Sequence, residues 1–475
     1  MKKFYITTSI PYVNAPPHIG FALEAVLADV LARYHKKLGE EVFFLTGTDE
    51  HGLKIRKAAE AAGKNPQDFV NEISARFLEL TKVLNISNND FIRTTDEKRH
   101  WPAVKKLWLK LEKNNDIYKR KYQGYYCSGC EAFVTQKDLI NGKCPIHQKE
   151  PELIEEENYF FKISKYLNEI KKRIEKKELK IIPQARENEV LGYIKTGLED
   201  VSFSRAKEKY WGFEVPGDSS QIIYVWGDAL PNYISAIGYE KETKQFKKLW
   251  PVDVHCIGKD ILKFHAIIWP AMLLSAGLKL PRAIFVHGFI TVAGQKMSKS
   301  LGNVIDPFEL VKKYGVDAVR YFLLREIPAT EDGDFTIEKF KQRYNADLAS
   351  GIGNLVARVR AMADKLKISP FGRSPAGRQN LKLKKEVQKT ENNYKKALEN
   401  FRFNEALKTV WDLIGFCDKY IEEERPWERK ENSENVLSGL LFAIDNMADL
   451  LEPFLPETAE KIKNKETKNL FPRLT

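Results

Sequence analysis

The sequence predicts an α/β fold: a Rossmann-like parallel-sheet domain, split by a zinc-knuckle insertion and followed by an all-α domain. Three observations lead there. The chain opens with a strand–helix–strand pattern, a Cys/His cluster of metal-binding spacing interrupts it, and strand signals stop after about Phe340.

The stretch from Phe4 to Ser9 is rich in aromatic and β-branched residues and reads as a strand. A proline-bearing turn from Pro11 to Pro17 follows. From Gly20 onward Leu23, Val26, Leu27, Val30, Leu31 and Tyr34 recur at the spacing of one buried helix face, and Gly39 ends it. Val42 to Leu45 is a continuous apolar run, as a strand of a parallel sheet covered on both faces would be. Ligands of such a sheet bind beyond the carboxyl ends of its strands.

The β–α alternation then stops, and residues 117–185 read as an insertion between a first half, 1–116, and a second half, 186–290. The parallel pattern is expected to resume with Ile222 to Trp226, Val254 to Ile257 and Ile284 to Val286, with a helical segment from Ile261 to Ala276. Residues 291–340 form a lysine-bearing connecting region, and 341–475 a helical domain. In that domain Ala406, Val410, Leu413, Ile414, Cys417, Tyr420 and Ile421 mark one helix face, a second helix from Val436 to Leu451 stops before Pro453 and Pro456, and Ser369 to Pro375 is a loop.

A chain of 475 residues is long enough for two to four domains, and 43% hydrophobic content supplies their cores. The formal charge of +12 suits a polyanionic partner, although a solubilising lysine-rich surface accounts for it equally well. No run of eighteen apolar residues and no signal-peptide core are present, so no membrane contact and a cytoplasmic location are expected. Five cysteines fit a reducing compartment.

Five groups of residues carry chemistry. His18-Ile19-Gly20 stands where the first strand hands over to its helix, a position where backbone amides meet anions and a glycine admits a nucleotide. Lys296-Met297-Ser298-Lys299-Ser300 puts two ammonium groups on a short loop suited to a triphosphate. Cys127-x-x-Cys130 with Cys144-x-x-His147 has zinc-knuckle spacing, and with all four places filled by protein the single zinc ion is structural. Cys256 and Cys417 lie in apolar runs and read as core. Asp49 follows a buried strand, where a carboxylate can hold an ammonium group or simply cap a turn. Tyr12, Trp226, Tyr233, Phe264 and His265 fall just past strands, as an aromatic cup or as plain core.

The order of the His18 turn and the lysine loop resembles the class I aminoacyl-tRNA synthetases. One position departs from their signature: Phe21 stands where a second histidine is usual, removing one hydrogen-bond donor. The fuller set of motifs is similar to the methionyl-tRNA synthetases over nearly the whole chain. It comprises Ser9-Ile10-Pro11-Tyr12-Val13-Asn14, Gly47-Thr48-Asp49-Glu50-His51-Gly52, the cysteine cluster, Tyr224-Val225-Trp226-Gly227-Asp228-Ala229, and Ile257-Gly258-Lys259-Asp260-Ile261 with Phe264-His265.

That resemblance implies an ATP-dependent ligase that activates L-methionine as methionyl-adenylate and transfers it to tRNA(Met), initiator included. It assigns Ile10, Tyr12, Trp226, Ala229, Leu230, Tyr233, Ile261 and His265 to the methionine side chain and Asp49 to its amino group. Leu230 replaces the proline of many members. For ATP it assigns His18, Gly20, Gly258, Asp260, Lys296 and Lys299, with His18, Lys296 and Lys299 as the catalytic groups and Mg2+ accompanying the triphosphate. The helical domain becomes an anticodon-binding domain, with Asn354, Arg358 and Trp427 at the anticodon. A monomer is expected, since little chain follows Leu455 to Glu460. Two rivals stand beside this reading. A small-molecule nucleotidyltransferase of the same fold would need neither insert nor helical domain, and a tRNA-binding paralogue without catalysis is supported only by Phe21.

Overall fold

The computed structural model describes residues 2–127, 132–134, 139–145, 148–297, 302–368, 380–428, 430–466 and 470–474. The chain divides into two compact units. The first comprises Met1–Pro17, Leu38–Thr81 and Ser87–Val286, and the second His18–Lys37, Lys82–Ile86 and His287–Thr475.

A six-stranded sheet centres the first unit, in the order Asp90–Arg93, Glu41–Thr48, Lys3–Thr7, Val254–Gly258, Ala283–His287 and Lys180–Ile182. Lys3–Thr7 pairs in parallel with both neighbours, setting Ile6 opposite Phe44 and Val254, and Thr7 opposite Leu45 and His255. Tyr5, Ile6, Phe44, Leu45, Ile257, Ile284 and Val286 are buried, as continuous apolar runs in a sheet covered on both faces should be. The core of this unit is rich in large rings, among them Trp108, Phe161, Phe203, Tyr233 and Trp269.

Three strands fall elsewhere than the sequence suggests. Ile222 and Ile223 end the strand Asp218–Ile223, which pairs antiparallel with Ser204–Ala206 in a small three-stranded sheet, and Val225 starts the short helix Val225–Ala229. A brief apolar run cannot distinguish a central parallel strand from a peripheral one that turns one face to the core. Lys180–Ile182, within the stretch read as insertion, is an edge strand of the six-stranded sheet. Conversely Val201–Ser202 joins a four-stranded antiparallel sheet with Ala132–Val134, Ile117–Cys127 and Glu152–Phe161. The long ladder between Ile117–Cys127 and Glu152–Phe161 carries that sheet. Beside it, Ile140 and Lys143 exchange backbone hydrogen bonds of 2.9 and 3.0 Å around Asn141 and Gly142, both at positive φ. That is the Asn-Gly hairpin turn expected of such a pair, and it leads directly into Cys144.

In the second unit the helix Ile19–Lys37 buries Glu24 and Asp29 as well as its apolar stripe. Arg320, fully buried, explains Asp29. It donates to the Asp29 carboxylate (2.7 Å) and to the carbonyls of Leu84 (3.0 Å), Pro453 (3.0 Å) and Phe454 (2.8 Å). A buried cation is tolerated only with its donors satisfied in this way.

After Ile337–Arg343 the described residues are helical: Tyr344–Gly353 in π geometry, then Asn354–Lys365, Leu381–Glu399, Phe403–Glu424, Lys430–Leu451 and Pro456–Lys463. The predicted face from Ala406 to Ile421 is buried, and burial pushes the Cys417 thiol pKa up. The loop from Ser369 to Pro375 lies outside the described residues. Among the described residues no helix is long and apolar enough to cross a membrane.

Candidate active site

In the first unit, Trp226, Tyr233 and Ile261, three of the residues assigned to the methionine side chain, meet at His265. His265 lies on a π-helical turn, Phe264–Ile268, which follows the carboxyl end of Val254–Gly258. Its Nδ1 donates to the Ile261 carbonyl at 3.1 Å, which leaves Nε2 as the acceptor for the Tyr233 hydroxyl at 2.8 Å. Trp226 stacks on Phe264 with centroids 3.9 Å apart and planes at 7°, and meets His265 edge-on. Tyr233, Ala229 and Leu230 are buried, while Ile10, Tyr12, Trp226 and Ile261 are partly buried against the same core.

Behind this cup a second histidine braces it. His255 is fully buried, its Nδ1 shares a hydrogen bond of 2.8 Å with the Thr7 hydroxyl, and its ring packs 4.3 Å from that of Tyr233. Burial, reinforced by nearby His265, drives the His255 pKa well below the ordinary histidine value, so it is neutral. Tyr5, whose hydroxyl donates to the Tyr233 carbonyl at 2.7 Å, holds the same element from the sheet side.

Asp49 sits just past the strand Glu41–Thr48 and is buried. Its N–H donates to the Pro11 carbonyl (2.9 Å) and its carbonyl accepts from Val13 (3.2 Å), so Tyr12 and Asp49 continue the pairing of the two central strands. The next two residues were not assigned roles from sequence. Glu50, fully buried, receives two bonds from Arg93, of 2.7 and 2.9 Å, one from Thr48 (2.7 Å) and one from Thr95. His51 Nδ1 lies 2.5 Å from the Asp228 carboxylate, which His100 also approaches, at 3.2 Å. Burial alone would raise the Asp228 pKa, but the two histidines pull it down to about 2. The available sequence signal was the charged run Thr-Asp-Glu-His directly after an apolar strand; the partners, distant in sequence, gave none.

Gly227, between Trp226 and Asp228, is required by close approach. A Cβ there would fall 2.9 Å from the Phe203 ring and 3.0 Å from Ile223. Gly258 ends its strand, and Asp260 is exposed on the short 3-10 turn Lys259–Ile261 that follows.

In the second unit the two signature motifs meet. His18 Nδ1 accepts the Gly20 N–H at 3.0 Å, so the neutral ring carries its proton on Nε2. Although its side chain keeps an exposed edge, the protein crowded around it lowers the His18 pKa. Ile19 N–H donates to the Ile305 carbonyl at 3.2 Å, and a Cβ on Gly20 would lie 3.7 Å from the Met297 methyl. Glu24 and His287, both buried, are joined at 2.8 Å. Phe21 is buried on the first turn of the helix.

Lys296 is exposed at the end of a hairpin in which Thr291 pairs with Lys296 across Ala293-Gly294. Asp334 holds that turn, accepting from the Thr291 hydroxyl (2.9 Å) and the Gly294 N–H (2.7 Å). Lys299 lies outside the described residues.

Of the predicted zinc ligands, Cys127 and Cys144 are buried, and Cys130 and His147 lie outside the described residues. Among the described residues no group of three His, Cys, Asp or Glu side chains is placed to hold an ion. Of the predicted anticodon residues, Arg358 stacks 5.4 Å from the Trp427 ring centroid and pairs with Glu422 at 2.6 Å. Trp427 is 45% exposed, and Asn354 is exposed one helical turn before Arg358.

The parallel sheet, the His18 turn and the lysine hairpin define a class I synthetase. The family model described as tRNA synthetases class I (M) matches residues 4–148 and 129–360, and that of the anticodon-binding domain of tRNA ligases matches 381–471. Methionine–tRNA ligase of Thermotoga maritima is 45% identical across 97% of this chain and 74% of its own length, and that of Bacillus subtilis 42% across 97% and 72%. The Mycobacterium tuberculosis methionyl-tRNA synthetase in complex with methionyl-adenylate superposes with a TM-score of 0.91 at 37% identity, covering 98% of this chain and 94% of that one. The chain belongs to the methionine–tRNA ligase family.

Proposed function

We propose that this ligase holds the methionine side chain in the cup of Trp226, Phe264, Tyr233, Ala229, Leu230, Ile10, Tyr12, Ile261 and His265, with Asp49 on the α-amino group. The observation that carries this reading is the bonded His265–Tyr233 pair, at 2.8 Å, beside the stacked Trp226 and Phe264 rings. Flat, polarisable faces and a fixed pair of polar groups suit a thioether better than a branched alkyl chain.

His18, Gly20, Gly258, Asp260, Lys296 and Lys299 bind ATP in this scheme, and Mg2+ accompanies the triphosphate. The methionine carboxylate attacks the α-phosphorus; the bond to pyrophosphate breaks, leaving methionyl-adenylate. His18 donates from Nε2 to a phosphate oxygen, and Lys296 and Lys299 neutralise charge that develops on the leaving pyrophosphate. The terminal ribose hydroxyl of tRNA(Met) then attacks the activated carbonyl and releases AMP. No side chain acts as nucleophile. Trp427, Arg358 and Asn354 meet the anticodon, where an exposed ring and a cation stacked on it offer platforms for unstacked bases.

Cys127, Cys130, Cys144 and His147 hold one structural zinc ion. The two described cysteines are buried, and one follows directly from a tight turn, as a closed thiolate site requires. Bound there, zinc supplies cross-linking of the insert and no step of the reaction.

Methionine-dependent exchange of labelled pyrophosphate into ATP tests the scheme, with metal analysis of the same sample. Exchange and one zinc per chain are expected. Absence of exchange from zinc-loaded protein would overturn the assignment of roles.

A further inference from the structure

We infer that Asp228 is a positioning residue for amino-group recognition: by holding His51 and His100 together it fixes the loop bearing Asp49 against the helix bearing Trp226 and Ala229. The inference rests on the reading of Asp49 as the amino-group carboxylate.

Asp228 lies two residues after Trp226 and one before Ala229, on the five-residue helix Val225–Ala229. His51 lies two residues after Asp49. The bond of 2.5 Å between them therefore joins the two chain segments that would grip opposite ends of the amino acid. His100 adds a third segment: its Nε2 approaches the Asp228 carbonyl at 2.9 Å and carboxylate at 3.2 Å, and its Nδ1 the Ser235 hydroxyl at 2.9 Å. All three residues are at most 2% exposed.

The neighbouring residues leave this linkage little slack. Asp49, Glu50 and His51 are each tied to a different element: the chain at Pro11 to Val13, the Arg93–Thr95 segment, and Asp228. Gly52 N–H donates to the Trp211 carbonyl at 2.9 Å, and the Trp211 ring meets His51 edge-on at 5.0 Å. The cavity lined by His51, Trp211, Tyr126, Tyr210 and Arg205 measures only about 10 Å³, room for one water. A helix of one turn has little stability of its own, so its placement depends on such tertiary bonds.

Two inhibitors of methionine-dependent pyrophosphate exchange separate the roles: methioninol, which carries the amine, and 4-(methylthio)butan-1-ol, the same chain without it. In the unaltered enzyme methioninol should bind at least tenfold tighter, the scale of a charge-assisted hydrogen bond. In Asp228→Asn that preference should fall about tenfold, or to near unity if it began there, while the inhibition constant of the alcohol shifts less than about threefold. An unchanged preference, or equal weakening of both inhibitors, would show a merely structural residue and overturn the inference. Asp49→Ala calibrates the test. If it keeps the preference, the reading of Asp49 fails; if it abolishes the preference and Asp228→Asn does not, only the positioning role fails. Should Asp228→Asn not fold, His51→Gln decides the matter, since Asp228 keeps His100. It should lower the preference in the same direction, and an unchanged value would overturn the inference.

Discussion

The proposed methionine cup and the lysine hairpin are built in opposite ways. In the cup the rings are fixed by bonded polar groups, most of them buried: His265 to Tyr233 and Ile261, Tyr5 to Tyr233, His255 to Thr7. The hairpin carries Lys296 in the open, and its turn is held by the partly exposed carboxylate of Asp334. Selection among apolar amino acids needs a surface that does not yield, because a single methylene is worth only about 1–3 kcal/mol. Handling a triphosphate that enters and leaves calls for a cation whose position can change.

The sharpest test of this contrast is Lys299→Ala. Adenylate formation followed in single turnovers should fall about 100- to 1,000-fold, as when one charge-stabilising contact is removed, with methionine affinity little changed. A neutral substitution would remove the lysine loop from the chemistry. Trp226→Ala attacks the other side: the stack on Phe264 is lost, and the methionine KM should rise roughly 10- to 100-fold while the ATP KM holds. Equal changes in both would mean that the cup and the hairpin are not separable.

Asp334→Ala should act on the hairpin alone. The carboxylate, whose pKa is lowered chiefly by the Gly294 N–H, would no longer hold the turn. Its loss should lower kcat for pyrophosphate exchange about tenfold, in line with one bond to a charged group, and leave the methionine KM unchanged. The last effect is confined to acid. Burial raises the Asp228 pKa, yet His51 and His100 outweigh it and bring the folded value from 3.8 to about 2. A depressed folded pKa stabilises above the unfolded value, and that contribution disappears as pH falls from about 4 through 2. Denaturant unfolding should therefore show roughly 2 kcal/mol lost over that window, and Asp228→Asn should lack the loss. Identical acid limbs would place the charge elsewhere.

Much of this was legible in the sequence because local rules carry it. The amphipathic helix after His18 needed only its periodicity, and Ala406 to Ile421 only one face. In the proposed cup Tyr12, Phe264 and His265 follow strands of the parallel sheet, where an open sheet puts its ligands, whereas Trp226 and Tyr233 follow a strand of the small antiparallel sheet. What the sequence hid depends on partners distant along the chain. His51, His100 and Asp228 have no spacing rule to unite them, and neither have Thr7 and His255. Ile222 and Ile223 misled because apolarity reports burial and not which sheet a strand joins. Phe21 shows another limit. The sequence marks it as a missing donor, and on that basis Phe21→His should equal or exceed the parent in activity; as a buried ring, it also carries packing that a histidine would forfeit.

The cage around Arg320 bears on how the chain is made. Its guanidinium reaches Asp29, 291 residues away, and the carbonyl of Pro453, 133 residues away in the other direction. Loop closure over such spans comes late in folding. The helix Ile19–Lys37 must therefore wait with a buried-to-be carboxylate exposed until the segment around Pro453 has been synthesised. A nascent chain stalled before residue 453 would hold both signature motifs and still lack the bonds that set the second unit. Translation would thus withhold a settled second unit until the segment that carries Pro453 and Phe454 has emerged.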